Sequence, residues 1–548
     1  MRSRCLTFLC GAVVLLATVP TQAHFLWVVT GSVETPVVQV YFGESAEPDD
    51  PDLLKRVAHS KAWAIPDRRG EPQPLVLENK DDSLVATLSQ EQSHAPVALR
   101  CTYGTLTRGA ETFLLEYYAK TYPDHLPGTW RTIGKQDVLP LEITPRLTGD
   151  EMALTVLWNG KVLPEAVVTV QGPGIDKKIE GTTDDTGVFR CKLPESGLFS
   201  IRAKHSETKS GEHEGTAYTS VRYYSTLSLR YQPAELTSID HRLPALEKGV
   251  TSFGGAVLGD SLYVYGGHYG AAHHYSNEEQ SGDFQRLNLR DPQRWESLPG
   301  GHKVTGLALV PYGAALYRVG GFTAKNSGNE DHDLWSQSDF ARFDPQTNAW
   351  TALPALPEGR SSHDAAILGD RLYVVGGWNM RGDGKTDWHH SALRIDLSEE
   401  TPAWEAITEP PFRRRAIALA AFNGRLYCLG GMQEAGGTTM AVAIFDPETN
   451  VWSEGPALLG SGMDAFGCSA FACGDRLYAT TMSGSVQRLA LDGKSWEFVG
   501  QLQSPRFFHR LLPWQESRLV VVGGASMSSG KIQTLELLPL SVAKSTAR

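Results

Sequence analysis

Gly259-Asp260-Ser261-Leu262-Tyr263-Val264-Tyr265-Gly266-Gly267 decides the fold of this chain, because it recurs. It returns as Gly369-Asp370-Arg371-Leu372-Tyr373-Val374-Val375-Gly376-Gly377 and as Asn423-Gly424-Arg425-Leu426-Tyr427-Cys428-Leu429-Gly430-Gly431. Leu316-Tyr317-Arg318-Val319-Gly320-Gly321 is a shorter copy, and Leu519-Val520-Val521-Val522-Gly523-Gly524 has lost the Tyr. In Leu477-Tyr478-Ala479-Thr480-Thr481 two threonines stand where the glycines belong. The first residues of these pairs (266, 320, 376, 430, 480 and 523) are spaced 54, 56, 54, 50 and 43 apart. A polar turn, a β-branched or aromatic run and a glycine pair make one small unit that cannot bury its apolar face alone. Units of this length in series are four-stranded propeller blades.

A second marker runs in phase. Trp295, Trp350, Trp404, Trp452 and Trp496 each follow a pair by the length of two strands, several after a turn such as Asp344-Pro345-Gln346-Thr347-Asn348. Each indole offers up to about 4–6 kcal/mol if fully buried, an upper bound. Strands converge near a propeller axis, and a glycine pair permits close approach there. Six pairs but five tryptophans leave one strand missing. Ser238-Ile239-Asp240-His241-Arg242-Leu243-Pro244-Ala245-Leu246 aligns with Asn348-Ala349-Trp350-Thr351-Ala352-Leu353-Pro354-Ala355-Leu356. This strand is expected to complete the last blade beside 533–537 and close the ring. The expected architecture is all-β: two N-terminal sandwich-like domains followed by a six-bladed propeller over 236–540. That half resembles the kelch family of β-propellers, whose motif it repeats. Thr480-Thr481 departs from the pattern and puts the fifth blade's geometry in question.

Arg2 and Arg4 precede an apolar run from Leu9 to Val19 and a small-residue end at Thr21-Gln22-Ala23, which reads as a cleavable leader over 1–23. Cys10 lies inside the apolar run, so no lipid anchor is expected. The expectation is a soluble protein, periplasmic or secreted, without stable membrane insertion. Loss of the leader takes the formal charge from −11 to −13, an acidity that argues against nucleic acid as a partner. Cys101, Cys191, Cys428, Cys468 and Cys473 remain; five is odd, and buried free thiols are expected.

Ahead of the repeats, 24–147 reads as a β-rich domain with strands at Trp27-Val28-Val29, 37–41, 97–102 and 113–118. Residues 148–232 read as a second domain, with hairpin turns at Asn159-Gly160 and Asp184-Asp185-Thr186-Gly187. This second stretch resembles the prealbumin-like, carboxypeptidase-regulatory-like sandwich. Through His24-Phe25-Leu26-Trp27, Val40-Tyr41-Phe42-Gly43-Glu44 and Leu115-Glu116-Tyr117-Tyr118-Ala119-Lys120, residues 24–232 resemble the bacterial exported domain-of-unknown-function family 4198. Some members accompany nickel and cobalt uptake, so the resemblance implies a connection to metals.

Cleavage after Ala23 makes His24 the first residue, and a terminal amine with its own imidazole can chelate a metal. His205 and His213, in a polar stretch rich in carboxylates, are the candidate further ligands for copper or nickel. On the propeller, long polar excursions carry His268, His273 and His274, then His332, then Trp378, Trp388, His389 and His390. Equivalent loops emerge on one face, which makes these residues the candidate binding surface for a protein or glycan. His363 and His509 occupy the repeat's Arg-x-x-His positions and read as structural; Arg413-Arg414-Arg415 reads as a packing or solvated cluster.

A non-enzymatic exported binding protein, monomeric, is the preferred class, with no catalytic residue assigned. The alternative is a propeller-based enzyme, since the kelch resemblance also embraces copper radical oxidases and a sugar mutarotase. The oxidase requires a Tyr-Cys cross-link with Tyr and His ligands, which Cys428, Cys468 and Cys473 do not supply in a recognisable pattern. No Gly-x-Ser-x-Gly elbow, phosphate loop or His-Glu-x-x-His helix is present. The leader reading makes a direct prediction. The exported chain begins at His24 and binds copper with an affinity that falls on acidification, as the terminal amine takes up its proton. Equal copper binding by the His24→Ala chain in calorimetry overturns it.

Overall fold

A computed structural model describes residues 24–31, 36–66, 71–148, 150–236, 242–382 and 386–540. The leader and Ile239 lie outside the described residues. Among them the C-terminal half is all-β and propeller-like, as the repeat requires. Its five four-stranded antiparallel sheets span residues 254–298, 308–352, 364–407, 418–455 and 469–501, and a three-stranded sheet spans 510–539. The recurring phrase forms the second strand of each: Ser261–Tyr265, Ala315–Val319, Arg371–Val375, Arg425–Leu429, Arg476–Thr480 and Arg518–Val522. First strands of successive sheets touch in order, and the first strand of the 510–539 sheet touches that of the 254–298 sheet.

At the axis the closure is made by backbone hydrogen bonds. Ser252, Gly306, Ser362, Ala416, Gly467 and Phe508 each stand two residues before a first strand, and all have positive φ, between 53° and 67°. In this conformation each amide points at the carbonyl of its counterpart in the neighbouring unit. Ser252 donates to Phe508 (3.3 Å), Gly306 to Ser252 (2.6 Å), Ser362 to Gly306 (2.8 Å), Ala416 to Ser362 (2.8 Å), Gly467 to Ala416 (3.1 Å) and Phe508 to Gly467 (2.8 Å). The six peptide groups form a closed ring of hydrogen bonds.

A tryptophan ladder repeats the closure at the rim. Trp350 Nε1 donates to the Pro299 carbonyl, Trp404 to Pro354, Trp452 to Thr408 and Trp496 to Pro456, at 2.8–3.1 Å, each time one unit back. Trp295 does the same to Pro244 at 3.1 Å. Pro244 therefore holds, for the last sheet, the place Pro354 holds in the 308–352 unit. Leu246 donates to the Gln533 carbonyl at 2.9 Å, but the described part of the expected closing segment, 242–246, forms no strand, and the 510–539 sheet has three strands. The glycine pairs serve close approach: a Cβ on Gly376 would lie 2.7 Å from the Arg414 carbonyl oxygen. In the fifth sheet Thr480 and Thr481 lack positive φ and bond sideways instead, Thr480 to His509 (2.6 Å) and Thr481 to Ser485 (2.8 Å).

The N-terminal half is three stacked sheets. An eight-stranded sheet lies in the middle, with one face on the sheet of Phe25–Thr30 and Val37–Gly43 and the other on the sheet of Leu141–Thr148 and Glu151–Trp158. Burial on both faces leaves Phe113 to Thr121 buried without a break, Glu116 and Lys120 included: Tyr117 packs on one side and Tyr118 on the other. The boundary expected between 147 and 148 does not divide this sheet. Glu111–Thr121 pairs in parallel with Ser220–Tyr231, so strands from both expected domains share one hydrogen-bonded layer. Hairpin turns are legible locally, whereas a parallel pairing across about 110 residues leaves no local mark.

This half also docks on the fifth sheet. Leu236 donates to Val499 (2.9 Å), Arg488 forms two bonds to Glu235 (2.9 and 3.0 Å), and His125 packs edge-on against Phe498. A side chain at Gly128 would collide with the Ser483 carbonyl. The short connection Thr481–Gly484, where other units carry long excursions, makes room for this contact. Asp464 accepts from the Ser483 amide at 3.0 Å, and burial, with Asp124 nearby, raises its carboxyl to about 6. The axial ring makes a prediction. A Cβ on Gly467 would meet Phe508 at 2.6 Å and carry left-handed strain, so Gly467→Ala is expected to lose about 1–3 kcal/mol by urea unfolding. An unchanged urea midpoint would refute this account of the ring.

Candidate functional site

In each sheet the start of the first strand pairs with the end of the second, as Gly254 does with Tyr265. The glycine pairs, the excursions that follow them and the peptide ring therefore share one face. The excursions of the second and third units are ordered: Phe322–Ala324, Leu334–Ser336, Trp378–Gly382 and Thr386–Trp388 form an additional four-stranded sheet. Around the ring this face gathers aromatic side chains from successive units. Tyr275 packs on Phe322 and His332 with centroids 5.6 and 5.7 Å apart. Trp378 and Trp388 cross at 66° and 5.6 Å, and Phe466 meets Phe508 at 4.9 Å.

Arg415 lies at the centre of this bowl. Its guanidinium carbon is 4.1 Å from the Trp378 ring, 5.6 Å from Trp388 and 5.9 Å from Phe466. One Nη donates to the thioether of Met432 (2.9 Å), while Nε, and the Nε1 of Trp378, are buried and make no hydrogen bond. Burial lowers the Arg415 pKa, with Tyr275 acting in the opposite sense. No acidic side chain forms an ion pair with Arg415 among the described residues. Aromatic faces around a guanidinium that has no carboxylate partner among the described residues make this a candidate surface for a ligand that stacks.

The predicted propeller residues divide. Trp378, Trp388 and His332 are in the bowl; His332 Nε2 accepts from the Tyr275 amide at 3.2 Å. His268 and His389 are buried and bonded to carbonyls, His268 to His274 (2.8 Å) and His389 to Gly359 (3.0 Å). His274 pairs with Glu279 (2.6 Å) and His390 with Glu409 (3.1 Å) on the surface, and His273 is exposed. Of the arginine run, Arg413 pairs with Glu434 and Arg414 donates to Ala441, as a solvated and packing cluster would; Arg415 is the residue that reading missed. Its signal was the repeat itself: Arg414 aligns with Arg360 and Arg506, which places Arg415 one step closer to the ring.

Those aligned arginines are structural. Arg360 donates to the Gly376 and Ser391 carbonyls, and Arg506 to those of Gly523 and Thr534. Below the ring, Arg510, which lines the axial cavity, pairs with Asp364 at 2.9 Å. The five cysteines of the described residues are free, and burial pushes the Cys468 thiol up to about 12, which keeps it protonated and inert.

At the other end of the chain, the proposed metal ligands are not assembled. His24 lies 3.5 Å from Asp49 and against Phe42, on the Tyr117 and Tyr224 side of the eight-stranded sheet. His205 pairs with Tyr223 and packs on Trp158, on the opposite side. His213 is on the separate hairpin Gly211–His213 with Thr216–Tyr218. Among the described residues no group of three His, Cys, Asp or Glu is placed to hold a metal ion. Alternation along a strand separates what a shared polar stretch suggested. No helix among them is long and apolar enough to cross a membrane.

Residues 249–484 match the KLHDC2/KLHL20/DRC7 Kelch-repeats domain, so the C-terminal half carries a kelch-repeat domain. Kelch-like protein 23 of Homo sapiens is 26% identical over 267 residues, 47% of this chain and 43% of that protein. N-acetylneuraminate epimerase of Haemophilus influenzae (strain PittEE) is 32% identical over 143 residues, 25% of this chain and 34% of that protein. The chain thus spans less than half the length of these curated relatives. The solved structure titled "Structure of YjhT" superposes with a TM-score of 0.45 at 18% identity, covering 55% of this chain and 98% of that one.

The buried imidazoles give this half a pH dependence. Burial lowers His268 and His389 to about 4 and His509 to about 3. Each favours the neutral form when folded, so its stabilisation is complete above the unfolded pKa of about 6.5 and is lost as pH falls from there toward 4. Asp464, raised instead, acts in the opposite sense, so the comparison is made within a variant pair. Moving from about pH 7.5 to about pH 5 is expected to cost His389→Gln less than wild type by about 1–2 kcal/mol. Equal losses in urea titrations at the two pH values would contradict this.

Proposed function

We propose that this is an exported binding protein: a six-bladed kelch propeller, closed by the segment that ends at Leu246, holds a ligand in the Arg415 bowl. The observation that carries the reading is the bowl itself. The Arg415 guanidinium forms no ion pair among the described residues and is framed by the aromatic faces of Trp378, Trp388 and Phe466 from successive units. The kelch-like relatives support an interaction role, and the partial likeness to a protein named for N-acetylneuraminate supports a sugar as ligand. Export rests on the basic, apolar and small-residue succession of 1–23.

The N-terminal half, in this reading, is the exported module of family 4198 type, fixed to the fifth blade and flanking the bowl. Its metal reading retains His24 with Asp49 beside it and loses His205 to the far face of the sheet. A catalytic reading patterned on the epimerase needs a general acid and base over the guanidinium. Tyr275 and His332 stand in the bowl, but His332 Nε2 is engaged by the Tyr275 amide at 3.2 Å, and the kelch-like relatives favour binding.

A mixed glycan and peptide array probed with the chain from His24 tests the reading. Hits are expected to disappear in Trp378→Ala with Trp388→Ala, a loss of roughly tenfold or more in affinity, while the thermal midpoint stays near wild type. Hits that persist in the double variant place binding elsewhere and refute the bowl.

A further inference from the structure

We propose that the glycine-pair face docks a protein segment in which an aliphatic or aromatic side chain is flanked by lysine or arginine, an inference that rests on reading this face as the binding site. Its centre is Phe508. The other residues of the peptide ring are serine, glycine or alanine, whereas Phe508 brings a phenyl group to a φ of 53°. Among the described residues no other Phe, Tyr or Trp has positive φ. Left-handed backbone disfavours a bulky residue, and the burial that could offset it is incomplete, because the phenyl group stays half-buried. Strain retained for a side chain that is not fully packed marks a surface kept for contact.

An apolar strip runs outward from Phe508. It meets Phe466 at 4.9 Å and Phe507 at 5.2 Å, and Phe466 adjoins the bowl, 5.9 Å from the Arg415 guanidinium carbon. The Phe466 amide donates to the Met463 carbonyl, and Phe507 pairs with Ala525, two residues before Met527. Met463 is 48% exposed and Met527 78%, two of the six large apolar residues that stand exposed among those described. Six of the chain's eight methionines, Met380, Met432, Met440, Met463, Met482 and Met527, lie in connections of this face. Thioethers adapt to apolar side chains, and they offer the hydroxyls of a sugar no strong donor or acceptor. Charge selects the flanks. Glu278, Glu330 and Asp331 stand exposed on the excursions of the first two units, with no ion pair among the described residues. Arg381 and Arg413 are already answered by Asp387 and Glu434. The surplus on these loops is negative, so lysine or arginine on the partner is attracted and an acidic segment is repelled.

Panning a phage-displayed library of random heptapeptides on the chain from His24 decides the matter. Selected peptides are expected to join Leu, Ile, Met or Phe to a neighbouring Lys or Arg. Their synthetic forms, measured by fluorescence polarisation, are expected to bind Phe508→Ala about tenfold more weakly than wild type and Met463→Ser about threefold more weakly. Ala416 already holds an equivalent place, so Phe508→Ala is compatible with the peptide ring, and the exposed Met463→Ser gives the same readout without touching it. Glu330→Gln with Asp331→Asn is expected to weaken the same peptides about threefold and to flatten their loss of affinity between about 50 and 500 mM salt. Affinity indifferent to salt and to that acidic pair overturns the lysine or arginine flank. Acidic or wholly polar peptides that Trp378→Ala with Trp388→Ala still weakens overturn the partner while leaving the face as the site. Peptides indifferent to that tryptophan pair, to Phe508→Ala and to Met463→Ser overturn the face as well. Selection of no peptide overturns the docking of a protein segment.

Discussion

Six peptide groups hydrogen-bonded head to tail around an axis are the constraint on which the C-terminal half depends. Each bond requires a left-handed residue at the entry to a first strand, and the six left-handed residues include four that are not glycine. Left-handed backbone costs an L-residue roughly 1 kcal/mol, so Ser252, Ser362, Ala416 and Phe508 hold it because the ring and the sheets around it impose it. The tryptophan ladder applies the same closure at larger radius, where each indole is anchored to a carbonyl of the unit before it. Inner and outer closure are met by the same register, which is why units of 43 to 56 residues tolerate their differences in length.

With the scaffold held from within, the connections on the glycine-pair face are free to differ. Two of them build a second sheet that fixes Trp378 and Trp388, a third brings in Tyr275, and the shortest gives its place to the N-terminal half. The face is therefore both a candidate ligand surface and a docking surface. Arg415 belongs to neither framework. It is one residue beyond a buried arginine that clamps carbonyls, and that single step turns it from the packing layer to the aromatic bowl.

The N-terminal half follows a different logic, in which one eight-stranded sheet is buried on both faces. Its central strand Glu111–Thr121 is buried almost throughout, and neighbouring tyrosines are sent to opposite cores. That arrangement separates His24 from His205, although the chain chemistry of both suited a metal. It also carries the sheet across a boundary that composition alone would draw.

What the chain determines by itself is whatever repeats or is local. The glycine pairs, the phased tryptophans, the hairpin turns and the free cysteines are all written in spacing and residue type; of the cysteines, Cys191 is only half-buried, and the described residues 242–246 lie beside Gln533 without forming the expected strand. His363 and His509 were expected at equivalent positions of the repeat, and both are buried, His509 beside Thr480. Only the tertiary structure decided the parallel pairing of Glu111–Thr121 with Ser220–Tyr231, the opposite placement of His24 and His205, and the meeting of Arg415 with Trp378, Trp388 and Phe466. The physical reason is common to all three. Each depends on which face a side chain takes and which distant strand becomes its neighbour, and neither quantity has a period along the sequence.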